Sequence, residues 1–125
     1  MKPLYIIGPY HDEPSKWVER LTHITRLVSE SPNGHEWVIM CPHPMIHVNG
    51  YGEKTKAVTQ TLNGLMMAAH FDGSELWVVL DDDGRYTSGV EMEVEMWQLW
   101  RPIETIHEMR YDEWVQYLEM IWLDK

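Results

Sequence analysis

Apolar residues along this chain form short runs in some segments and recur at helical spacing in others. The runs over residues 4–7, 36–41 and 76–80 each stop at glycine, proline or an acidic turn, which is typical of buried strands. A further strand is predicted over 103–106, directly after Pro102. The pattern therefore predicts four strands, with room between them for helices.

Helical spacing predicts a helix that ends before residue 31, others over 53–70 and 89–100, and a last one near the end of the chain. Strands that alternate with helices across short loops are typical of a parallel sheet covered on both faces. We therefore expect one domain over 1–125 with a doubly wound, Rossmann-like α/β fold of four to five strands. The apolar positions are Trp17, Leu21, Ile24 and Val28 in the first helix, Val58, Leu62, Leu65, Met66 and Ala69 in the second, and Trp114, Tyr117, Leu118 and Ile121 in the last.

Doubly wound sheets bind ligands at the carboxyl ends of their strands, near the point where the strand order reverses. This rule directs attention to the loops over residues 8–13, 42–52 and 81–88. It does not identify the ligand, because one fold carries many functions.

The net charge of the chain limits the classes of molecule that it can bind. The chain of 125 residues holds 10 Lys and Arg against 20 Asp and Glu, a net charge of −10. Such a chain repels nucleic-acid polymers and anionic membranes, whereas a helix terminus can still hold a small phosphate. Its single cysteine, Cys41, excludes an internal disulfide, and no apolar run is long enough to span a bilayer. We expect a cytoplasmic protein.

Glu93 departs from the pattern of the helix predicted over 89–100. At about 100° per residue it falls near 300° from Val90, between Trp97 and Trp100 and inside the apolar arc. A carboxylate there is partnered, exposed at an open helix end, or desolvated with a raised pKa. The alternative is a structural role, as an acid near a helix start or a side chain that reaches out to solvent.

The start of the same helix has features of an anion site. Ser88 and Glu91 fit a capping box, which leaves Thr87 without a structural role. Gly89 permits close approach to the backbone, and the free N–H groups of a helix start favour an anion.

A second group of residues contains side chains that can bind a metal ion. Cys41, His43 and His47 lie close together in sequence, and Asp81 to Asp83 follow the neighbouring strand. Cysteine and histidine with a carboxylate can hold Zn²⁺, but this spacing matches no motif with a known mechanism. A pocket wall or an inert loop accounts for the same residues, and we expect neither a metal nor another cofactor.

Three stretches resemble the nucleoside 2-deoxyribosyltransferase-like superfamily, most closely its small, phage-borne branch. They are Tyr5-Ile6-Ile7-Gly8-Pro9-Tyr10, the Pro/His loop after the second strand, and Leu76-Trp77-Val78 followed by Thr87-Ser88-Gly89-Val90-Glu91-Met92-Glu93. The last of these is similar to the superfamily's Ser-x-Gly-x-x-x-Glu pattern, with Thr87 in place of the first serine. The resemblance covers roughly residues 3–106.

The resemblance implies cleavage or transfer of the N-glycosidic bond of a (deoxy)nucleoside or its 5'-monophosphate. It assigns Glu93 as the nucleophile and Tyr5 as the residue that orients it. By the same resemblance, a phosphate-binding segment lies at the helix start and the loop after the first strand lines the sugar. The residues in these two segments are Thr87, Ser88, Gly89, Gly8, Pro9 and Tyr10.

Three further parts of such a site remain open. A carboxylic acid should protonate the departing base, and Asp81, Asp82 and Asp83 are the candidates, although a solvated turn also explains them. His43 is a candidate for the pocket wall. Asn63 stands where the superfamily has an aspartate and can bind a hydroxyl group.

The missing aspartate supports a second function class, an inactive or regulatory protein that binds a nucleotide or nucleotide sugar on the same fold. We also expect at least a dimer. The last helix carries aromatic and sulfur side chains on more than one face, and the relatives implied by the resemblance assemble as dimers or larger. The side chains on that helix are Tyr111, Trp114, Met120 and Trp122.

Overall fold

The computed structural model describes residues 2–10, 13–42 and 54–123, with side chains in the last range described over 61–120. The strands are β1 (Lys2–Ile7), β2 (Trp37–Met40), β3 (Glu75–Leu80) and β4 (Ile106–Arg110). The described helices are α1 (Pro14–Glu30), α2 (Lys54–Ala69), α3 (Ser88–Gln98) and α4 (Tyr111–Leu123). Short 3-10 turns over Gly34–Glu36 and Ile103–Thr105 precede β2 and β4.

All four strands run parallel in the order β2-β1-β3-β4. The order reverses between β1 and β3, and the doubly wound α/β fold predicted from the sequence is confirmed. Since the strands are parallel, the segments that follow them meet at one edge of the sheet.

The two faces of the sheet bury different helices. Successive strand residues point to opposite faces, so Leu4 and Ile6 pack with α1 and α4, whereas Tyr5 and Ile7 pack with α2 and α3. Trp114 on α4 stacks on Trp77 at 4.5 Å between ring centroids, and its ring N–H donates to the carbonyl oxygen of Val78. All four apolar residues predicted for the first helix are buried. The α2–α3 layer is the one that contains Glu93.

The fourth strand was predicted in the wrong place. Residues 103–105 form a 3-10 turn, and the strand follows it as β4. Within β4 only Ile106 and Met109 are half-buried, because it is an edge strand. Because the other residues of β4 are exposed, and most of them are polar, β4 lacks the continuous apolar run that identifies the other strands.

Two predicted helical faces also differ from the structure. In α2, Leu65 and Ala69 are buried as predicted, but Met66 is exposed. In α4, Leu118 is buried and Tyr117 is 45% exposed. Val58 and Ile121 lie outside the described side chains. Among the described helices, none has the length and apolar character that a membrane crossing requires.

Candidate functional site

Helix α3 begins directly after the loop that follows β3. Its N-cap is Thr87, whose backbone is extended (φ −75°, ψ 164°) and whose hydroxyl oxygen accepts from the N–H of Val90 at 3.4 Å. The predicted capping role of Ser88 is therefore wrong, because Ser88 is already the first residue of the helix and is exposed. Thr87 caps the helix, and Ser88 has the hydroxyl that faces solvent.

Gly89 has open space in front of its backbone. A side chain built on it would meet no atom of the described residues within 4 Å, so packing does not require glycine here. The helix start beside it presents unpaired N–H groups and the positive end of the helix dipole. The arrangement of Thr87, Ser88 and Gly89 is compatible with an anion that approaches the backbone closely.

Glu93 lies one turn further along α3 and is buried, with only 8% of its surface exposed. Burial raises the pKa of its carboxyl group to about 8 from an ordinary value of 4.5, because the charged form loses its hydration. Its Oε2 atom has no hydrogen-bond partner among the described residues. Of the three environments that the sequence allowed, the structure shows the desolvated one.

The position of Glu93 relative to α2 follows from helix geometry. Trp100 lies seven residues further on, two residues beyond the end of α3, and Leu99 between them keeps helical backbone angles, so Trp100 continues nearly the same side of the helix. It contacts His70, at the end of α2, with 5.5 Å between the ring centroids. Glu93 therefore lies on the side of α3 that faces α2.

Tyr5, in the middle of β1, belongs to the same buried cluster as residues of both helices of this layer. It is 1% exposed, and its hydroxyl donates to the carbonyl oxygen of Thr61 on α2 at 2.8 Å. Burial raises the pKa of the Tyr5 hydroxyl. The nearby charge of Glu93 raises this pKa further, and Cys41 makes a smaller contribution in the same direction. The hydroxyl proton is thus held by the backbone of α2, so Tyr5 does not donate it to Glu93.

Gly64 explains how Tyr5 reaches the backbone of α2. A Cβ atom at this position would lie 3.1 Å from the Tyr5 hydroxyl oxygen. A glycine inside a helix destabilises it by about 1 kcal/mol relative to alanine, so the residue needs a reason to be there. Close packing against Tyr5 supplies that reason.

The three aspartates after β3 have different surroundings. Asp81 accepts from the N–H groups of Asp83 and Arg85 through Oδ1, at 3.0 and 2.8 Å, and so closes a turn. Asp82 binds Lys16 and Arg20 of α1, each at 2.7 Å, and these hydrogen bonds lower its pKa to about 2. Asp82 is therefore ionised at neutral pH and has no proton to give. Asp83 is exposed.

The other predicted site residues differ in how deeply they are buried. Gly8 and Pro9 are buried directly after β1, and Tyr10 is half-buried. A side chain on Gly8 would lie 3.1 Å from Leu21, so this glycine permits close packing of β1 against α1. Asn63 is exposed on α2. The structure brings Glu93 and Tyr5 into one layer and leaves Asn63 at the surface.

His43, the candidate for the pocket wall, and His47 lie outside the described residues, so the metal site considered as an alternative is not described either. In the part of the chain that is described, no group of three or more His, Cys, Asp or Glu side chains is arranged to hold a metal ion. The alternative reading of Cys41 as a ligand therefore gains no support from described neighbours.

Sequence reasoning missed the contribution of α1 to the edge of the sheet. Lys16 and Arg20 lie four residues apart on one side of the helix, and both reach Asp82. The guanidinium of Arg20 also lies 4.9 Å from the Trp17 ring centroid and 5.0 Å from that of Tyr111. The spacing of the two cations was the available signal, but their partner is more than 60 residues away in sequence.

No family model matches the chain, and comparisons with curated proteins and with solved structures return no match.

Proposed function

We propose that this protein cleaves or transfers the N-glycosidic bond of a (deoxy)nucleoside or its 5'-monophosphate, with Glu93 as the nucleophile. The observation that carries the proposal is the buried Glu93 carboxyl group, which has an oxygen without a described partner. An unpartnered carboxylate destabilises the free protein, and perturbed carboxyl groups of this kind are concentrated at functional sites. The superfamily resemblance selects the same residue.

The chemistry suits a carboxylate beside a sugar. An oxygen of ionised Glu93 bonds to the anomeric carbon as the C–N bond breaks, and the bond's electron pair leaves with the base, which takes up a proton. Water or a second base then attacks the same carbon, gives up a proton to solvent and releases the carboxylate. A developing positive charge on the sugar stabilises ionised Glu93, which its apolar surroundings do not.

The start of α3 is proposed to bind the 5'-phosphate. Ser88 has an exposed hydroxyl, Gly89 leaves its backbone open, and Thr87 is half-buried at the cap. We expect a 5'-monophosphate to bind more tightly than its nucleoside. The double variant Thr87→Ala with Ser88→Ala should narrow that difference by about 10-fold or more, since hydrogen bonds to charged groups contribute roughly 1.5–3 kcal/mol each.

A second candidate function is a nucleotide-binding protein without catalytic activity. It is favoured by the interactions that already engage two of the three candidate acids. Asp81 closes a turn and Asp82 is held in ion pairs, which leaves Asp83 as the remaining candidate of the three to protonate a leaving base. Asn63, which replaces an acid in the resemblance, is exposed. Binding without base release would support this candidate.

The test incubates the protein with a panel of nucleosides and 5'-monophosphates and follows released base by chromatography. Calorimetry on the same panel measures binding. The proposal predicts base release that Glu93→Gln abolishes and that Glu95→Gln, an exposed neighbour on the same helix, leaves intact. Tight binding without base release would replace the proposal with the second candidate. Neither binding nor release would reject both.

A further inference from the structure

Three cationic side chains lie near one another at the carboxyl edge of the sheet. Lys16 and Arg20 belong to α1, which follows β1, and Arg110 is the last residue of β4. They are three of the 10 Lys and Arg residues in a chain of net charge −10. A cavity of about 170 Å³ lies beside them, and the residues that line it are Arg20, Asp82, Arg110, Tyr111 and Asp112.

This group of cations lies beside the point where the strand order reverses. The neighbouring strands β1 and β3 are followed by helices on opposite faces of the sheet, α1 on one and α3 on the other. Asp82, in the loop after β3, reaches across this edge to Lys16 and Arg20 on α1. The two ion pairs therefore span the crevice in which doubly wound folds bind their ligands.

The Asp82 carboxylate shows which chemical group the cations of α1 hold. Its Oδ2 accepts from Lys16 Nζ and its Oδ1 accepts from Arg20 Nη1, each at 2.7 Å. Two separate cations thus bind two oxygens of one anion. The Asp82 side chain is 61% exposed, so it can turn out to solvent. Asp82 therefore occupies a position that an oxyanion of a ligand can take.

Arg20 is held in place by packing. Its guanidinium lies 4.9 Å from the Trp17 ring centroid and 5.0 Å from that of Tyr111. The Tyr111 hydroxyl in turn shares a hydrogen bond of 2.5 Å with Nδ1 of His23. A cation that is already fixed loses less conformational freedom when it binds an anion, which favours affinity.

Arg110 supplies donors that the described part of the protein does not use. Its Nε–H donates to Glu113 at 3.1 Å, and the Asp112 carboxylate lies 3.9 Å from the same nitrogen, beyond hydrogen-bond distance. Among the described residues, no acceptor pairs with its two terminal nitrogen atoms. These N–H groups are available to an anion in the cavity.

We propose that Lys16, Arg20 and Arg110 bind a phosphate group of a small ligand, which takes the place of the Asp82 carboxylate. A free carboxylate that makes the same two contacts cannot displace one that is tethered beside them. A phosphate group carries more charge, about −1.5 to −2 at pH 7, and has a further oxygen for Arg110. The cavity is smaller than the roughly 300–1,000 Å³ of pockets that enclose whole ligands, so it fits a single group. This inference does not depend on the proposed reaction.

Calorimetric titration with inorganic phosphate, at pH 7 and low ionic strength, tests the proposal. Acetate is titrated in parallel, and we expect phosphate to bind more tightly. Arg20→Gln and Arg110→Gln should each weaken phosphate binding by about 10-fold or more, since each removes charged donors to the anion. The Arg110 side chain is 45% exposed, so its replacement should leave the fold intact. Arg26→Gln, an exposed arginine on α1, is the matched control and should bind phosphate like the natural chain.

The variant Asp82→Asn gives the sharpest prediction, because it should strengthen the binding of phosphate. The substitution removes the competing carboxylate and so raises the fraction of molecules in which the three cations are free. Apparent affinity for a ligand rises with that fraction, and we expect a gain of about 10-fold. If Asp82 were instead part of the ligand site, or a structural ion pair that holds the cations in position, its loss would weaken binding.

Circular dichroism establishes that each variant is folded. The proposal is overturned if neither the natural chain nor Asp82→Asn binds phosphate, if Arg20→Gln and Arg110→Gln bind it unchanged, or if acetate binds as tightly. Weaker binding in Asp82→Asn would also overturn it. The double variant Thr87→Ala with Ser88→Ala should retain this phosphate binding, and its loss there would assign the anion to the start of α3 instead. Base release is not measured in this experiment, so failure of this proposal is distinguishable from failure of the proposed function.

Discussion

The charge of Glu93 acts on Tyr5, but the hydrogen bond of the Tyr5 hydroxyl goes to another residue. The negative charge of Glu93 contributes to the raised pKa of Tyr5, yet the Tyr5 hydroxyl donates to the carbonyl oxygen of Thr61. Oε2 of Glu93 is left without a described partner. Tyr5 therefore fixes α2 beside the buried carboxyl group without satisfying that oxygen.

Replacing Tyr5 with phenylalanine tests this positioning role. Tyr5→Phe removes the hydrogen bond to Thr61, and we expect a loss of about 1 kcal/mol in the free energy of unfolding, measured by urea denaturation. Since Tyr5 does not donate to Glu93, base release should fall moderately while Glu93 remains able to react. Loss of base release as complete as in Glu93→Gln would contradict the assignment and make Tyr5 a catalytic residue.

The burial of Glu93 predicts a pH-dependent stability. Between pH 4.5 and about 8 the unfolded chain releases this proton while the folded chain keeps it, so the contribution of Glu93 to stability falls as the pH rises. Glu93→Gln should change the melting temperature little at pH 4.5. At pH 8 and above it should stabilise the fold, by at most about 5 kcal/mol.

The control for this experiment is Glu95→Gln, because Glu95 is exposed on the same helix. It should shift the melting temperature by a similar small amount at both pH values. A Glu93→Gln variant that behaves like this control would show that Glu93 is ionised and partnered in the folded protein.

The cap of α3 predicts unequal effects of two adjacent substitutions. Thr87→Ala removes the acceptor of the Val90 N–H and should destabilise the protein by about 1 kcal/mol. Ser88→Ala, at an exposed position inside the first turn, should stay within about 0.5 kcal/mol of the natural chain. Thermal denaturation measures both. Equal destabilisation by the two substitutions, or the reverse order, would restore Ser88 as the cap.

The surroundings of the aspartates predict which one serves as the acid. Asp82 is ionised and bound to Lys16 and Arg20, so Asp82→Asn should leave the rate of base release within about 2-fold and change stability by at most about 1 kcal/mol. Asp83→Asn should lower the rate by about 100-fold, since general acid catalysis contributes roughly 10²–10⁴-fold. A large loss in Asp82→Asn with none in Asp83→Asn would reverse the assignment.

Local periodicity accounts for what the sequence predicted. The helical wheel of α3 isolates Glu93 inside an apolar arc, and the structure buries it there, because side-chain direction along a helix depends only on spacing. The apolar run over residues 4–7 likewise predicts a strand in a sheet covered on both faces, and in β1 Ile6 and Tyr5 are buried on opposite faces. Both features are set by near neighbours in the chain.

The features that the sequence did not predict depend on backbone geometry and on contacts between distant parts of the chain. The choice of Thr87 over Ser88 as the cap depends on backbone angles, since both hydroxyls can cap a helix. The ion pairs of Asp82 join segments more than 60 residues apart. Leu99 is exposed because the sheet covers only part of the apolar surface of α3. The spacing of apolar residues along a helix does not show how much of that surface is covered.

The attachment of sugar to Glu93 tests the central claim most directly. The protein is denatured in acid during turnover of the best substrate from the panel, and its mass and peptides are then measured. The account predicts one sugar or sugar-phosphate unit on the peptide that contains Glu93, and none in Glu93→Gln, which should also release no base. Base release at an unchanged rate in Glu93→Gln, or a sugar unit on another residue, would contradict the claim that Glu93 is the nucleophile.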